Sequence, residues 1–358
     1  MKSIGIFQLG LGKVGKSLVD LIIGNQHKWE RLGWEVRYVA LADSSGAIIP
    51  YSPYFSSEEL MEIASYKLSG SKLADFGKYQ FYDSLDVVES LPNYGLNVMI
   101  DCASGEHTLP VVLKALEAGW HVLLSNKQPL AVGLGEYSRL ARYSDHLWYE
   151  ATVGAGLPII STLRSLLDCG DSIDYIQGVF SGTLGFISSK ISSGTTFSEA
   201  LREAVNLGYT EPDPRDDLSG VDVARKALIL ARSLGRQIEM SDIKLSPFIP
   251  DLSYEESVEE FMSRIEDYDQ YFEQLSVQAA QSKQVVKYVA RVPVDGDVTV
   301  GLESLPASTV FGSVSGPDNV FVFSTRNYKD NPIVVIGPGA GPVRTAMGIA
   351  SDLLNLMR

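Results

Sequence analysis

The sequence predicts an α/β fold, with an N-terminal doubly wound parallel sheet and a second domain of α+β type. Three observations predict it. A short apolar segment runs straight into a glycine-spaced turn and an amphipathic helix at the start of the chain. Strand-like and helix-like segments then alternate to about residue 150, the pattern of a parallel sheet with crossover helices. Beyond that point the pattern changes, and from 285 to 336 come β-rich runs separated by Gly and Pro, which suggest antiparallel strands.

In chain order, IGIFQL (4–9) reads as a buried strand, because it is short, apolar and bounded by a turn. GLGKVG follows from Gly10 to Gly15, and a helix runs on through about Ile23. VRYVALAD (36–43) is a second strand, LNVMIDCAS (96–104) a third and WHVLLSN (120–126) a fourth, with LPVVLKALEAG (109–119) as the helix between the last two. Residues 50–80 are rich in Ser and Tyr and show no clear period. EATVGAGLPI (150–159) opens a helix over 157–168, and IDYIQGVFS (173–181) is a strand leading to the helix start GTLGFISSKI. Residues 219–235 form an amphipathic helix, and 253–282 an acidic helical stretch. The β-rich runs occupy 285–336. The chain closes with IVVIGPGAG and a helix, a unit that can complete the first domain.

The 358 residues suggest about two domains, and 45% hydrophobic with 21% charged residues suits an ordinary globular protein. A formal charge of −14 argues against a nucleic-acid or anionic-membrane surface. No run reaches the ~18 apolar residues of a membrane span. The first ten residues enter a Gly-rich turn and do not form a signal peptide. Cys102 and Cys169 make no disulfide framework, and no CxxC or HxxxH spacing offers a transition-metal site. A reducing, cytoplasmic setting is the default.

Gly10, Gly12 and Gly15 give GxGxxG between strand and helix, which marks a Rossmann-like dinucleotide site. The first glycine permits the tight turn, the second the approach of a pyrophosphate, and the third close packing of helix on strand. The helix start, with Leu11, Lys13 and Val14 in the same turn, supplies N–H groups for phosphates. Asp43 ends the second strand, where an acid usually binds the ribose 2′-hydroxyl and favours NAD over NADP. A turn-forming Asp beside Ser44, Ser45 and Gly46 is the alternative, and Arg37 or a base from 67–78 would still accept NADP.

GYTEPDPRDDLSGVDVARK (208–226) crowds Glu211, Asp213, Asp216 and Asp217 into a proline-stiffened loop before a helix. Such a loop suits recognition of a substrate ammonium; solvated acids with helix capping are the alternative. Asp222 and Lys226 stand one turn apart, which is usually a surface ion pair. The catalytic reading is that Asp222 orients Lys226 for proton transfer. A free lysine near ~10.4 is a poor base, so burial or a second cation would have to lower its pKa. Lys127 is a candidate for that cation, at the C-terminal end of the fourth strand, where open parallel sheets bind ligands. Glu150 and the carbonyls of EATVGAGLP suit a hard monovalent cation, with a simple helix-capping turn as the alternative. Gly182 and Thr183 open a helix and suit a carboxylate. Among the four His, only His107, near the end of the third strand, is a candidate for the cofactor's surroundings, and a structural role is its first reading.

Read together, these segments resemble the homoserine dehydrogenase family. The resemblance rests on GLGKVG (10–15), SNKQP (125–129), EATVGAGLP (150–158), SGTLGFI (181–187), GYTEPDPRDDLSGVDVARK (208–226), VGLESLPAS (300–308) and GPGAG (337–341). It implies that Lys226 is the acid–base lysine and that Lys127, near the nicotinamide, stabilises the alkoxide. It places Glu211, Asp217 and Asp222 around the substrate, with Thr183 as a substrate contact. It implies a sodium ion held by Glu150, Val153, Ala155 and Leu157. It brings Ala103, Ser104, Gly339 and Gly341 to the cofactor, and assigns 1–149 and 337–358 to the dinucleotide domain and 150–336 to the catalytic and dimerisation domain. A homodimer is implied, as is a short form without regulatory extension or aspartate kinase fusion. Gln128 replaces a lysine common in the family. The implied reaction is NAD(P)-dependent interconversion of homoserine and aspartate semialdehyde. A related dehydrogenase on another small substrate would lack the loop acids, and a non-enzymatic NAD-binding sensor would not need the lysines. An acyl-enzyme at Cys102 lacks a neighbouring motif histidine.

Overall fold

The computed structural model describes residues 1–358. The chain divides into two compact units, Met1–Pro158 with Ala340–Arg358, and Ile159–Gly339. No helix is long and apolar enough to cross a membrane.

Seven strands form the sheet of the first unit: β1 (Lys2–Leu9), β2 (Trp34–Asp43), β3 (Gly46–Ile49), β4 (Gln80–Tyr82), β5 (Leu96–Asp101), β6 (His121–Leu124) and β7 (Leu147–Trp148). Their order is β4-β3-β2-β1-β5-β6-β7. β1 pairs in parallel with β2 and β5, and the run continues in parallel through β6 and β7. The strand order reverses around β1, and the C-terminal ends of β1 and β5 open a crevice there, where such sheets bind ligands. β1 is apolar on both faces because both are covered.

Two features depart from the sequence pattern. β3 and β4 add an antiparallel edge. β4 is three mostly exposed residues, too few and too wet to show a period. Between them runs the helix Ser57–Leu68, started by a Ser56–Glu59 capping box. β5 and β6 also stop earlier than the sequence suggests, at Asp101 and Leu124. Asp101 takes the Ala103 N–H on its own carboxylate and turns the chain out of the sheet. The helix Pro342–Met357 returns to this unit and packs against the helix Lys13–Gly24 through Ala346, Ile349 and Leu353.

The second unit holds β8 (Ile173–Val179), β9 (Ile243–Leu245), β10 (Gln284–Pro293), β11 (Val298–Pro306), β12 (Asp318–Thr325) and β13 (Ile333–Pro338), ordered β13-β12-β8-β10-β11-β9. All its pairings are antiparallel except that of β11 with β9. The helices Gly182–Ser192, Val221–Ser233 and Asp269–Gln281 pack against β10. Phe197, Phe248 and Phe272 stack beneath them, with Phe248 against Tyr288 of β10. The stretch 253–282 is broken: Val258–Ser263 and Asp269–Gln281 are separated by a turn that buries Ile265.

Candidate active site

In the first unit a cleft of about 450 Å³ opens at the ends of β1, β2 and β5. Gly10 sits at φ +84°, and a β-carbon on it would lie 2.6 Å from the Ala103 nitrogen. A β-carbon on Gly15 would lie 2.1 Å from the Gly10 carbonyl oxygen. These two glycines are therefore fixed by backbone packing. Gly12 differs: a β-carbon there would meet nothing within 4 Å. That open side, at the N-terminus of the helix Lys13–Gly24, is where a pyrophosphate fits. Leu11 is buried in the apolar core, so only its backbone is available to a nucleotide, whereas Lys13 is exposed.

Asp43 ends β2 at the rim of this cleft. It accepts hydrogen bonds from the Ser45 and Leu73 amides at 2.8 and 2.9 Å and from the Lys67 ammonium. Burial pushes its carboxyl up, but the Lys67, Ser45 and Leu73 donors together hold it below its ordinary value. The carboxylate is thus ionised and already engaged, beside a cation that the sequence located only as some base within 67–78.

The ends of β5 and β6 are tied together. Asp101 accepts from Ala103 N at 2.9 Å and from Asn126 Nδ2 at 3.1 Å. Asn126 Nδ2 also donates to the Gly105 carbonyl at 2.8 Å and to Thr108 Oγ1 at 3.1 Å, and its Oδ1 accepts from Gln128 N at 3.1 Å. This network frames Ala103 and Ser104 on one side and half-buried Lys127 on the other. Burial lifts the Asp101 carboxyl to about 6 against the hydrogen bonds it accepts. Burial also pushes the Cys102 thiol well up, which leaves it a poor nucleophile. His107 lines the cleft but is exposed.

The turn after β7 carries the residues at which the sequence suggests a cation. Glu150 is buried, and its amide donates to the Asp352 carboxylate at 2.9 Å. Val153 is buried, Leu157 is half-buried, and Ala155 has φ +55°, a strained choice for a residue with a β-carbon. Gly348 permits that turn, since a β-carbon on it would lie 2.3 Å from the Ala155 oxygen.

In the second unit the four loop acids separate into two roles. Asp213 caps the helix Pro214–Leu218 and pairs with buried Arg215, which also donates to the Glu256 carbonyl at 2.7 Å. Asp216 takes the Tyr254 hydroxyl at 3.2 Å. These two acids build the loop. Asp217 instead accepts the Glu211 amide at 2.8 Å, and burial raises its carboxyl to about 6. Glu211 is exposed and Asp217 half-buried. Thr183, at the start of the helix Gly182–Ser192, donates its hydroxyl to the Tyr209 carbonyl at 2.5 Å and lies beside Asp217.

Gly220 starts the helix that carries the lysine. Its φ is +72°, and a β-carbon would lie 1.9 Å from the Tyr288 hydroxyl oxygen. Six residues on, Lys226 is 8% exposed and is no surface lysine. Its Nζ lies 2.9 Å from Asp222 Oδ2 and donates to the Phe180 carbonyl at 2.7 Å. Two of the three ammonium hydrogens are thereby directed. Gly341, at φ +111°, caps the helix Pro342–Met357, whereas Gly339 belongs to the second unit and packs on Asn319. Sequence reasoning missed Asp101, Asn126, Arg215 and Asn319, whose roles depend on partners distant in the chain.

Comparison with known proteins yields consistent matches. Residues 10–146 match the model of the homoserine dehydrogenase NAD-binding domain, and residues 158–354 that of homoserine dehydrogenase. The chain is 33% identical to a homoserine dehydrogenase of Paracoccidioides brasiliensis, covering 99% of this chain and 98% of that one. It is 37% identical to a bifunctional aspartokinase/homoserine dehydrogenase of Arabidopsis thaliana, over 99% of this chain but only 38% of that protein. The bifunctional relatives are thus more than twice as long as the chain. Among solved structures, a putative homoserine dehydrogenase from Archaeoglobus fulgidus is 27% identical with a TM-score of 0.78, covering 100% of this chain and 99% of that one. A hyperthermophilic archaeal homoserine dehydrogenase in complex with NADPH is 28% identical with a TM-score of 0.74, covering 99% of this chain and 97% of that one.

Proposed function

The chain belongs to the homoserine dehydrogenase family, and from that premise we propose that it interconverts L-homoserine and L-aspartate 4-semialdehyde with NAD(P). The observation that carries this reading is the held ammonium of Lys226, buried on the helix that follows the loop of acids and aimed by Asp222 and the Phe180 carbonyl.

Gly10, Gly12, Gly15 and the Ala103–Ser104 turn would hold the dinucleotide, which when bound would supply or accept the hydride. In the reductive direction Lys226 gives its proton to the oxygen of the aldehyde as negative charge develops there. Lys127 stabilises that charge. Glu211 and Asp217 hold the substrate ammonium. The amides that open the helix at Gly182 and Thr183 hold the carboxylate, with Thr183 as a substrate contact beside Asp217. Glu150 and the carbonyls of Val153, Ala155 and Leu157 form an oxygen donor set suited to sodium, and assays in sodium against potassium chloride read that site. We assign the enzyme to a reducing cytoplasm on its two free thiols, and to a homodimer formed through the second unit.

Lys226→Ala is expected to lower kcat by about a thousandfold, the scale of a lost acid–base group, with dinucleotide binding followed by fluorescence titration unchanged. Normal turnover in that variant would sink the assignment. Nucleotide binding with no homoserine-dependent change in nicotinamide absorbance in the wild type would favour the sensor.

A further inference from the structure

We infer that Asn319 is a positioning residue for the acid–base lysine and acts through the Phe180 carbonyl. The inference rests on the role proposed for Lys226. Phe180 follows β8, and its ring stacks on Phe321 with centroids 4.5 Å apart and planes 14° from parallel. Asn319 lies two residues before Phe321, on the same face of β12. It is 1% exposed, and its Nδ2 donates to the Phe180 carbonyl at 3.2 Å. That oxygen also receives Lys226 Nζ at 2.7 Å. One carbonyl therefore carries two donors. The ring stack fixes its position, and Asn319 fills one lone pair so that the other points along the line to the lysine.

Two further observations say that the amide is kept for this bond. Asn319 Oδ1 is buried with no hydrogen-bond partner. A buried orphan oxygen costs stability, so an apolar side chain of the same shape would suit the core better unless the N–H side is in use. The chain also clears room for it. A β-carbon on Gly339 would lie 2.1 Å from Asn319 Nδ2, so the residue expected at the cofactor is a glycine because Asn319 packs on it. Without the amide, the Phe180 carbonyl loses the donor that occupies one lone pair, and its bond to the Lys226 ammonium is no longer held to a single direction.

The experiment compares Asn319→Leu and Asn319→Asp with wild type, using kcat, the KM for homoserine and the pH dependence of kcat. Asn319→Leu is expected to lower kcat about tenfold, the scale of one hydrogen bond, with KM for homoserine within about twofold and the pH limb governed by Lys226 displaced. Asn319→Asp is close to isosteric and keeps the test open if the leucine variant does not fold. Its carboxylate near the ammonium is expected to move the same limb to higher pH. Wild-type kcat and limbs in the variants would overturn the inference. So would a loss of kcat with unmoved limbs, since a merely structural role gives that result. Failure of the underlying reading shows separately, as normal turnover in Lys226→Ala.

Discussion

Burial holds the Asp217 carboxyl near 6, yet the proposed contact with a substrate ammonium needs it ionised. A group whose pKa is raised by folding stabilises the fold fully below its unfolded value, about 3.9 for Asp, and loses that contribution as pH rises through the folded value. Its charge therefore opposes stability above pH about 6 and supports binding in the same range. Two outcomes are expected. In wild type, kcat/KM for homoserine falls as pH drops through about 6, which a steady-state pH profile reads. Asp217→Asn raises the melting temperature measured at pH 7.5 while raising the KM for homoserine about tenfold or more, the scale of a lost charged hydrogen bond. A variant with lower melting temperature and unchanged KM would mean that Asp217 is a structural acid. Lys226 shows the complementary case. Its spacing from Asp222 reads first as a surface ion pair, and its burial against the Phe180 carbonyl, 46 residues away in sequence, marks it as a buried one.

At the scale of elements, legibility followed the length and regularity of the signal. The strands around Gly10–Gly15 and the helix carrying Lys226 have long apolar periods and were read to within a few residues. The edge formed by β3 and β4 was not, because those strands have four and three residues and little buried surface. That unread edge bears on the cofactor. The helix Ser57–Leu68 delivers Lys67 to Asp43 at the end of β2. From sequence Asp43 alone favours NAD; with its charge paired, the repulsion of a 2′-phosphate is largely offset. Both dinucleotides are therefore expected to support turnover. Lys67→Ala is expected to raise the KM for NADPH several-fold more than that for NADH, in parallel assays with each cofactor. Equal effects on the two would remove Lys67 from the recognition of the ribose. The site residues that sequence missed share one property. Asp101, Asn126, Arg215 and Asn319 act by hydrogen bonds to segments far along the chain, which no local pattern encodes.

For the whole molecule, the sheet of the second unit ends on one side in β13, an edge strand whose Val334 and Ile336 are 39% and 46% exposed. Their register partners Val322 and Val320 belong to the small apolar cluster with Val179, Val289 and Phe311. An open edge with apolar side chains is a natural seat for a second copy. Sedimentation velocity is expected to give a dimer for wild type and a monomer for the double variant Val334→Lys, Ile336→Lys. A dimer that survives both changes would place the contact elsewhere. The same scale reveals a cost in the layout of the first unit. Its core needs the helix Pro342–Met357, whose Ala346, Ile349 and Leu353 close over the helix Lys13–Gly24, and whose Asp352 meets the Glu150 amide. Between those parts lies the entire second unit, Ile159–Gly339. During synthesis, with the N-terminus leading, the nucleotide half must wait roughly 10–40 s, at about 5–20 residues per second, for the piece that seals it. Through that interval its apolar helix face stays open, so the step most exposed to aggregation precedes the completion of the cofactor site.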